Sequence, residues 1–395
     1  MEHPVSLKRL CALVLATSMT VTCIAAEVSP AVREYRLHMF DPPISTLANR
    51  SIELMFDTRT VAAGRQPRKL PVALRSLSEN PSTFAESVMT TDRTQKVFAK
   101  EVFFAGTLVQ IHAVAKGSGM IAPALATTLC FITTDAAISV KALRRSLSEV
   151  VAGTLNQLTV DGDMSTNDAV VMMANGAADN ELIEEGTPNH EWFTDALREL
   201  LVEVARSIAK DGEGATRMIE VSVEGAKTLE DARQLAVSVA DSSLVKAAVF
   251  GADPYAWGRI LASLGARAGR IGADFDPATL SLTLQGVKVF DAGKPVKDGL
   301  GPLKFRMAER EIAVHARLGR GGASAKAWGC DLTYDYVKIN ADYARATTTS
   351  AEAAGARRRQ HHRASAREAR RADLSRPRPG GQGHGHGDSR SDGLG

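Results

Sequence analysis

The chain has 395 residues, 44% of them apolar and 24% charged, which is enough to bury one large core or two smaller ones. After Tyr343 lie 11 of the 48 basic and 5 of the 45 acidic residues, so this tail carries about +6 and the rest of the chain about −3. A basic tail on a slightly acidic body gives no support to a nucleic-acid-binding fold. The four cysteines are too widely spaced for a metal site or a disulfide framework, and we predict that Cys130 and Cys330 are buried thiols.

Both ends of the chain differ from its middle. Residues 1–26 have a basic start, an apolar stretch and small residues before Glu27, which is typical of a signal peptide or an organellar leader. A mispredicted gene start would look the same. The apolar part is too short for a membrane span, and no membrane association is predicted. Residues 344–395 lack apolar periodicity and are predicted to be a disordered tail, so the histidines of its HGHG stretch are not expected to form a metal site.

The middle of the chain alternates between helical and strand patterns, which predicts an α/β fold with mixed sheets packed between helices. The expected elements, in chain order, are a weak helix over 71–80, two strands over 101–115 with a turn at Ala105–Gly106, a helix over 140–151, a strand within 159–178, a long helix over 192–208, a strand over 219–223, a helix over 228–241, and strands over 244–251, 312–318 and 331–340.

Residues 116–134 read KGSGMIAPALATTLCFITT and place Thr127 between a glycine-rich turn and an apolar run. A threonine hydroxyl is a weak nucleophile that needs a base, and its own α-amine can serve once the chain is cut before it. Such a cut needs a small preceding residue and a strained loop. Ala126 supplies the first, and Gly117 and Gly119 are expected to supply unusual backbone dihedrals. By itself this pattern is weak, because an Ala-Thr pair in a turn is usually structural.

The segment AKGSGMIAPALATTLCFITTDAAI closely resembles the self-cleavage segment of the ornithine acetyltransferase family, the bifunctional glutamate N-acetyltransferases of arginine biosynthesis. Further stretches resemble the family in the same order, over about residues 84–343: MTTD (89–92), VDGDMSTND (160–168), ANGAA (174–178), DGEGAT (211–216), GADPYAWGRI (251–260) and LGRGGASAKAWGCDLTYDYVKINADY (318–343).

The resemblance implies a reaction and an assembly. Acetyl would move from N2-acetylornithine to a threonine hydroxyl and then to glutamate, and acetyl-CoA would be a second donor in some members. The fold would be the self-cleaving, N-terminal-nucleophile type with αββα-like layers, assembled as an α2β2 heterotetramer without a cofactor. Eukaryotic relatives act in mitochondria or plastids and bacterial ones in the cytoplasm. The leader-like start favours the mitochondrial matrix, with the cytoplasm as the alternative.

The resemblance also assigns site residues by motif position. Thr127 would be the nucleophile and the first residue of the β chain, with cleavage after Ala126. Lys116 would bind a substrate carboxylate, which suits a cation, and Glu213 would face a substrate amino group. The further substrate contacts would be a threonine of MTTD, for which Thr91 is favoured over Thr90, together with Asn340 and Thr347. No metal is implied.

The chain also departs from the family pattern. Residues 55–66 stand where the family has a Thr-Gly pair for the oxyanion hole, and they contain no such pair. Losing an oxyanion donor costs about 10²–10³ in rate. Where the family has Asn-Met before Ala-Thr, this chain has Ala124-Leu125, and Thr128 replaces the Met that follows the nucleophile. Arg345 occupies the position of the family's terminal threonine, which leaves Thr347 as a nearby candidate for that contact.

These departures leave two alternatives to a glutamate N-acetyltransferase. One is a non-catalytic homologue with a structural or regulatory role, and the other is an amidohydrolase or aminopeptidase of the same self-cleaving architecture. The expected organisation is a divergent leader and α-chain start over 1–83, the end of the α chain over 84–126, a catalytic β chain over 127–343 and the tail over 344–395.

Overall fold

The computed structural model describes residues 81–104, 106–122, 128–165, 168–296 and 300–342. The expected leader, the helix over 71–80, the 55–66 segment, Ala126–Thr127, Thr347 and the tail lie outside the described residues. The chain divides into two units, one ending at Val337 and one beginning at Lys338. The described part of the second unit, 338–342, is helical as far as Ala341, and the Asp342 amide donates to the Lys338 carbonyl at 3.1 Å.

The first unit contains two sheets. The strands are β1 (Lys96–Phe104), β2 (Thr107–Lys116), β3 (Leu129–Thr134), β4 (Ala169–Ala174), β5 (Met218–Ala226), β6 (Ser281–Leu284), β7 (Val287–Asp291), β8 (Lys294–Pro295), β9 (Glu311–Arg317) and β10 (Ala323–Cys330). The first sheet has the order β1-β2-β3-β4, with antiparallel pairs up to β3 and a parallel β3–β4 pair. The second has the order β10-β5-β9-β6-β7-β8, with a parallel β5–β9 pair. Both sheets are mixed, as predicted.

The helices of the described residues are α1 (Ser82–Val88), α2 (Val140–Gly153), α3 (Pro188–Lys210), α4 (Leu229–Ala240), α5 (Ser243–Phe250), α6 (Trp257–Ile271), α7 (Leu300–Arg306) and α8 (Tyr334–Ala341). Several begin at side-chain caps. Thr187 accepts from the His190 amide at the start of α3, where Pro188 takes the first helical position. Gly272, with φ 68°, ends α6 in the left-handed region that favours glycine.

Two apolar cores hold these layers together. One lies between the second sheet and α4, α5 and α6. The other lies around the first sheet, α2 and α3, and includes the inner ends of β5 and β10 through Met218, Trp328 and Cys330. Because α3 contacts strands of both sheets, its 23 residues connect the two cores. The segment 211–216 after α3 is thereby set next to the end of β2.

Two short segments were predicted wrongly. Residues 244–251 were expected as a strand, but they form α5. An eight-residue apolar run fits the periodicity of a helix as well as that of a strand, and here Ser242 caps the Val245 amide and starts a helix. Residues 331–340 were expected as the last strand, but β10 already ends at Cys330. Thr333 accepts from the Tyr336 amide at 3.2 Å, and α8 begins there.

The other elements predicted within the described residues are present. The elements without a counterpart in the prediction are α1, α6, α7, β6, β7, β8 and β10. The hairpin over 101–115 turns at Gly106, whose φ of 88° requires glycine. Cys130 and Cys330 are buried thiols, as predicted. Among the described helices, none combines the length and the apolar character of a bilayer-spanning segment.

Candidate active site

The glycine-rich loop 117–122 follows β2 and approaches the undescribed segment 123–127. Both carboxylate oxygens of Asp161 anchor it, accepting from the Met120 amide at 2.7 Å and the Ile121 amide at 2.9 Å. Met120 has φ 54°, in the left-handed region that residues with a side chain rarely adopt. Backbone strain is therefore present three residues before Pro123.

The glycines of this loop have a different role from the predicted one. Neither Gly117 nor Gly119 has a positive φ, so the expectation that they supply unusual dihedrals is wrong. They are needed for close packing instead. A Cβ on Gly119 would lie 2.3 Å from Cδ of Glu213, and a Cβ on Gly117 would lie 3.2 Å from Oγ1 of Thr128. The missing side chains make room for the two polar groups that face the loop.

Lys116, the last residue of β2, is buried at 8% exposure. Burial lowers the pKa of its ammonium group, and the carboxylates of Asp92 and Asp168 raise it in part, so the pKa stays below that of an ordinary lysine. Lys116 is therefore a buried cation near two carboxylates, and a cation of this kind can pair with the carboxylate of a ligand.

Glu213 is buried at 7% exposure on the turn that follows α3. Its amide donates to the Ser118 carbonyl at 2.9 Å, and the Ser118 hydroxyl donates to the Asp211 carbonyl at 2.7 Å. These two bonds join the 211–214 turn to the 117–120 loop, so Glu213 lies directly over Gly119. The geometry brings Glu213 and Lys116 to opposite ends of one short loop.

The MTTD segment reaches the same loop through Asp92. The Asp92 carboxylate accepts from the Gly117 amide at 2.7 Å and from the Lys96 ammonium at 2.7 Å. Burial by itself would raise the pKa of Asp92, but these bonds lower it overall. Lys96 also bonds Asp211 at 2.6 Å, and its side chain is fully buried. The neighbouring residue Thr91 is half-buried.

Asp168 and Thr128 form the other side of the site. Asp168 Oδ1 accepts from the Thr128 amide at 2.9 Å, and this amide is bonded to the carbonyl carbon of Thr127. Burial raises the pKa of Asp168 to about 6, against the lowering effects of the Thr128 amide and of Lys116. Within the described ranges, the buried Oδ2 of Asp168 and the buried Oγ1 of Thr128 have no hydrogen-bond partner. Thr128 is 3% exposed, so its hydroxyl is shielded from solvent.

Tyr336 adds a hydroxyl to the acidic end of the site. Burial and the negative charges of Asp161, Glu213 and Asp163 all raise its pKa, so the phenol stays protonated. Its amide lies against Gly214, where a Cβ would be 2.5 Å from that nitrogen and where φ is 69°. The surroundings of Glu213 are therefore negative, which suits a substrate ammonium group.

The structure places Lys116 and Glu213 at the two ends of the loop 117–120. Thr91 is half-buried, and Asn340 is exposed on α8 within the second unit. Thr127 and Thr347 lie outside the described residues. Motif reading passed over Asp92, Asp161, Asp168 and Asp211, although each stands in a quoted motif, and over Lys96, for which the sequence carries no signal. In the described ranges, no group of three or more metal-ligating side chains is gathered.

The fold and site define a mixed α/β protein with a buried lysine and a buried glutamate on either side of a strained glycine loop. A sequence model of the ArgJ family matches residues 54–345. This match begins upstream of residue 84, where the motif resemblance begins. The chain belongs to the ArgJ family, the ornithine acetyltransferase family that the sequence motifs indicated.

Named relatives agree with this assignment. Arginine biosynthesis bifunctional protein ArgJ from Symbiobacterium thermophilum is 49% identical over 265 residues, which are 67% of this chain and 65% of that protein. The protein of the same name from Listeria monocytogenes is 44% identical over 270 residues, 68% of this chain and 67% of that protein. The chain thus spans about two thirds of the length of these curated relatives. A crystal structure of the Bacillus halodurans protein of this name matches with a TM-score of 0.50 and 38% identity, covering 53% of this chain and 97% of that one.

Proposed function

We propose that this protein is a glutamate N-acetyltransferase of arginine biosynthesis, acting through an acetyl ester on Thr127. The observation that carries the proposal is the presence of buried Lys116 and buried Glu213 at the two ends of the loop 117–120. A cation and an anion across one loop complement the carboxylate and the amino group of N2-acetylornithine and of glutamate. The arginine-biosynthesis names of the relatives support the same substrates.

The proposed reaction proceeds in two acyl transfers. The Thr127 hydroxyl attacks the acetyl carbonyl of N2-acetylornithine, its proton passes to the α-amine, the acetyl–nitrogen bond breaks, and ornithine leaves with a proton. The glutamate amine then attacks the ester, and the Thr127 oxygen regains its proton as N-acetylglutamate leaves. Lys116 binds the carboxylate and Glu213 the amino group, with Thr91, Asn340 and Thr347 as further contacts. Acetyl-CoA as a second donor stays a prediction.

Cleavage between Ala126 and Thr127 is part of the proposal. The aligned part of the Bacillus halodurans crystal chain corresponds to 53% of the 395 residues here and is 97% of that chain, which is therefore about 215 residues long. The 265 aligned residues of the Symbiobacterium protein are 65% of its length, which is therefore about 408 residues. A chain of about half length is what a cut before the nucleophile leaves, and residues 127–343 of this chain number 217. An α2β2 assembly and the absence of a cofactor remain predictions.

The relatives reported above are bacterial, which supports the cytoplasm, so we propose cytoplasmic action. Mitochondrial placement stays a prediction based on the leader-like start alone.

A denaturing gel of the purified chain tests the proposal first, since cleavage gives fragments of 126 and 269 residues. An uncleaved chain would support the non-catalytic alternative. The cleaved protein is then assayed with N2-acetylornithine, with and without glutamate. Ornithine release that depends on glutamate, with formation of N-acetylglutamate, is the expected result, and release of free acetate without glutamate would favour the amidohydrolase alternative. Thr127→Ala is the matched control.

A further inference from the structure

Tyr336 lies on the first turn of α8, next to the turn that carries Glu213, and the proposed reaction assigns it no role. Gly214 approaches it so closely that a Cβ there would lie 2.5 Å from the Tyr336 nitrogen. The Thr333 hydroxyl donates to the Gly214 carbonyl at 2.8 Å and accepts from the Tyr336 amide at 3.2 Å. Two hydrogen bonds and one close approach therefore fix the start of α8 against the residue that follows Glu213.

The side chain of Tyr336 reaches the glycine-rich loop through Asp161. Its phenol hydrogen-bonds to the Asp161 carboxylate. That carboxylate also accepts from the amides of Met120 at 2.7 Å, Ile121 at 2.9 Å and Asp163 at 3.3 Å. A carboxylate offers about four lone-pair positions, and these four donors occupy them. Asp161 therefore contributes negative charge to the site, but its acceptor positions are already taken.

The phenol oxygen of Tyr336 is an acceptor of a different kind. A phenol can accept a hydrogen bond while its own O–H donates one. Burial and the neighbouring carboxylates of Asp161 and Glu213 raise the pKa of Tyr336, so the phenol stays protonated and uncharged. Because a hydroxyl that donates to a carboxylate is polarised, its oxygen becomes a stronger acceptor.

We propose that Tyr336 is a specificity-determining residue, whose phenol oxygen accepts a hydrogen bond from the ammonium group of a ligand that Glu213 also binds. This inference rests on the proposed function and adds a neutral acceptor to its ammonium site. A primary ammonium has three N–H donors, and away from water each of them needs an acceptor. Glu213 and Tyr336 share these donors, so together they distinguish a primary ammonium from an apolar chain end of the same length.

The charges at the two ends of the loop 117–120 select the class of ligand. Lys116 at one end attracts a carboxylate and repels an ammonium group. The carboxylates of Asp161 and Glu213 at the other end have the opposite effect. The phenol of Tyr336 adds an acceptor there without adding a charge that would have to be desolvated. The complementary ligand is an amino acid with a primary ammonium at the end of its side chain.

Tyr336→Phe tests the proposal, because it removes only the hydroxyl. The dissociation constants of ornithine and of norvaline, which has the same carbon chain without the side-chain amine, are measured by isothermal titration calorimetry on the full chain. In Tyr336→Phe the constant for ornithine should rise about 10-fold or more, since a hydrogen bond to a charged group is lost, and that for norvaline should change less than about twofold. Tyr334→Phe, at an exposed position of the same helix turn, is the matched control and should change neither constant.

The outcomes separate the two proposals. If the wild-type protein transfers acetyl and Tyr336→Phe weakens both ligands equally or neither, the role of Tyr336 alone is overturned, because a purely structural phenol cannot distinguish the ligands. If the wild-type protein transfers no acetyl but binds ornithine, and Tyr336→Phe weakens ornithine selectively, the proposed function is overturned and the role of Tyr336 is supported.

Two further results have a defined meaning. If norvaline binds the wild-type protein too weakly to measure, Nδ,Nδ-dimethylornithine replaces it, because its charged end has a single N–H to give to Glu213. Equal losses for ornithine and this ligand in Tyr336→Phe again overturn the role of Tyr336, and a loss for ornithine alone supports it. A wild-type protein that does not bind ornithine, or a Tyr336→Phe variant that does not fold by circular dichroism, overturns the proposal.

Discussion

Lys96 is expected to be among the most sensitive positions for stability, although no catalytic role is assigned to it. Its ammonium lies 2.7 Å from Asp92 and 2.6 Å from Asp211, and the three side chains are between 0% and 4% exposed. Lys96→Met keeps the length and apolar stem of the side chain but removes the charge. Asp211 retains Arg93, whose Nε lies 3.1 Å away, whereas Asp92 is left as a buried carboxylate that has lost its ammonium partner.

The expected cost follows from this imbalance. At an effective dielectric constant of about 20, each contact is worth roughly 6 kcal/mol of Coulomb attraction, most of which the desolvation of the charges offsets. Removing one partner of a buried pair costs about 3–5 kcal/mol, because the other charge stays buried. Against a total stability of about 5–15 kcal/mol, this is a large fraction. We therefore expect Lys96→Met to lower the free energy of unfolding by about 3–5 kcal/mol.

Urea denaturation followed by circular dichroism measures this loss. With a slope of about 3 kcal/mol per molar urea, the midpoint should fall by roughly 1–1.7 M. Lys100→Met is the matched control, since Lys100 lies on the same strand and pairs with Glu199 at the surface. An exposed pair contributes about 0–1 kcal/mol. Equal losses in the two variants would refute the reasoning that the buried cluster is a charge-balanced unit.

The pH dependence gives the prediction a definite sign. In the wild-type protein the pKa of Asp92 is lowered, so its contribution to stability is present above the unfolded value and is lost as pH falls through the folded one. In Lys96→Met, burial dominates and raises the pKa of Asp92. The deficit of the variant should therefore be complete at pH 7 and shrink as Asp92 takes up a proton on acidification. Adding Asp92→Asn should recover part of the loss at pH 7, and a further loss there would contradict this account.

Three other predictions concern the loop and the cleavage point. Thr128→Val should raise the free energy of unfolding by about 1 kcal/mol, because it removes a buried hydroxyl that lacks a partner among the described residues; urea denaturation checks this, and a loss would contradict it. Gly119→Ala should displace the Glu213 carboxylate, because the new Cβ would lie 2.3 Å from its Cδ. The KM for N2-acetylornithine should rise about 10-fold or more, while the free energy of unfolding changes by less than about 1 kcal/mol. Gly269→Ala, where a Cβ meets nothing within 4 Å, should leave KM unchanged. The cleaved fragments should elute together on native size-exclusion chromatography and separate only in denaturant, and separate native elution would refute this.

The long periodic elements could be predicted from the sequence, and short apolar runs could not. Helix α3 has apolar residues at helical spacing over 23 residues, so its pattern admits one interpretation. Residues 244–251 are long enough for only about two helical turns, so their apolar pattern does not distinguish a helix from a strand. The capping side chain of Ser242 favours the helix. The same limit applies to α8, where Leu332, Tyr334 and Tyr336 alternate with polar residues as in a strand. Thr333 nevertheless caps a helix there.

The site residues also divide into those that local sequence can indicate and those that only contacts between distant segments define. Motif order identified Lys116 and Glu213, since both lie within the matched segments themselves. Lys96 could not be found, because in sequence it is one more lysine in an alternating strand, and lysine is rarely buried. Its partners come from positions 92 and 211, and only the fold brings them together. Gly119 was recognised as special but for the wrong reason, because the nearby Glu213 side chain cannot be read from local sequence.

The contacts across the proposed cleavage point explain how one site can be assembled from two fragments. Strand β2 would belong to the first fragment and β3 to the second, and the two pair in antiparallel register over six positions. The buried bond from Lys96 to Asp211 and the bond from Ser118 to the Asp211 carbonyl also join the fragments. Lys116 would then come from the first fragment, and Glu213 and Asp168 from the second. Because these contacts exist before the proposed cut, they would keep the two fragments associated after it.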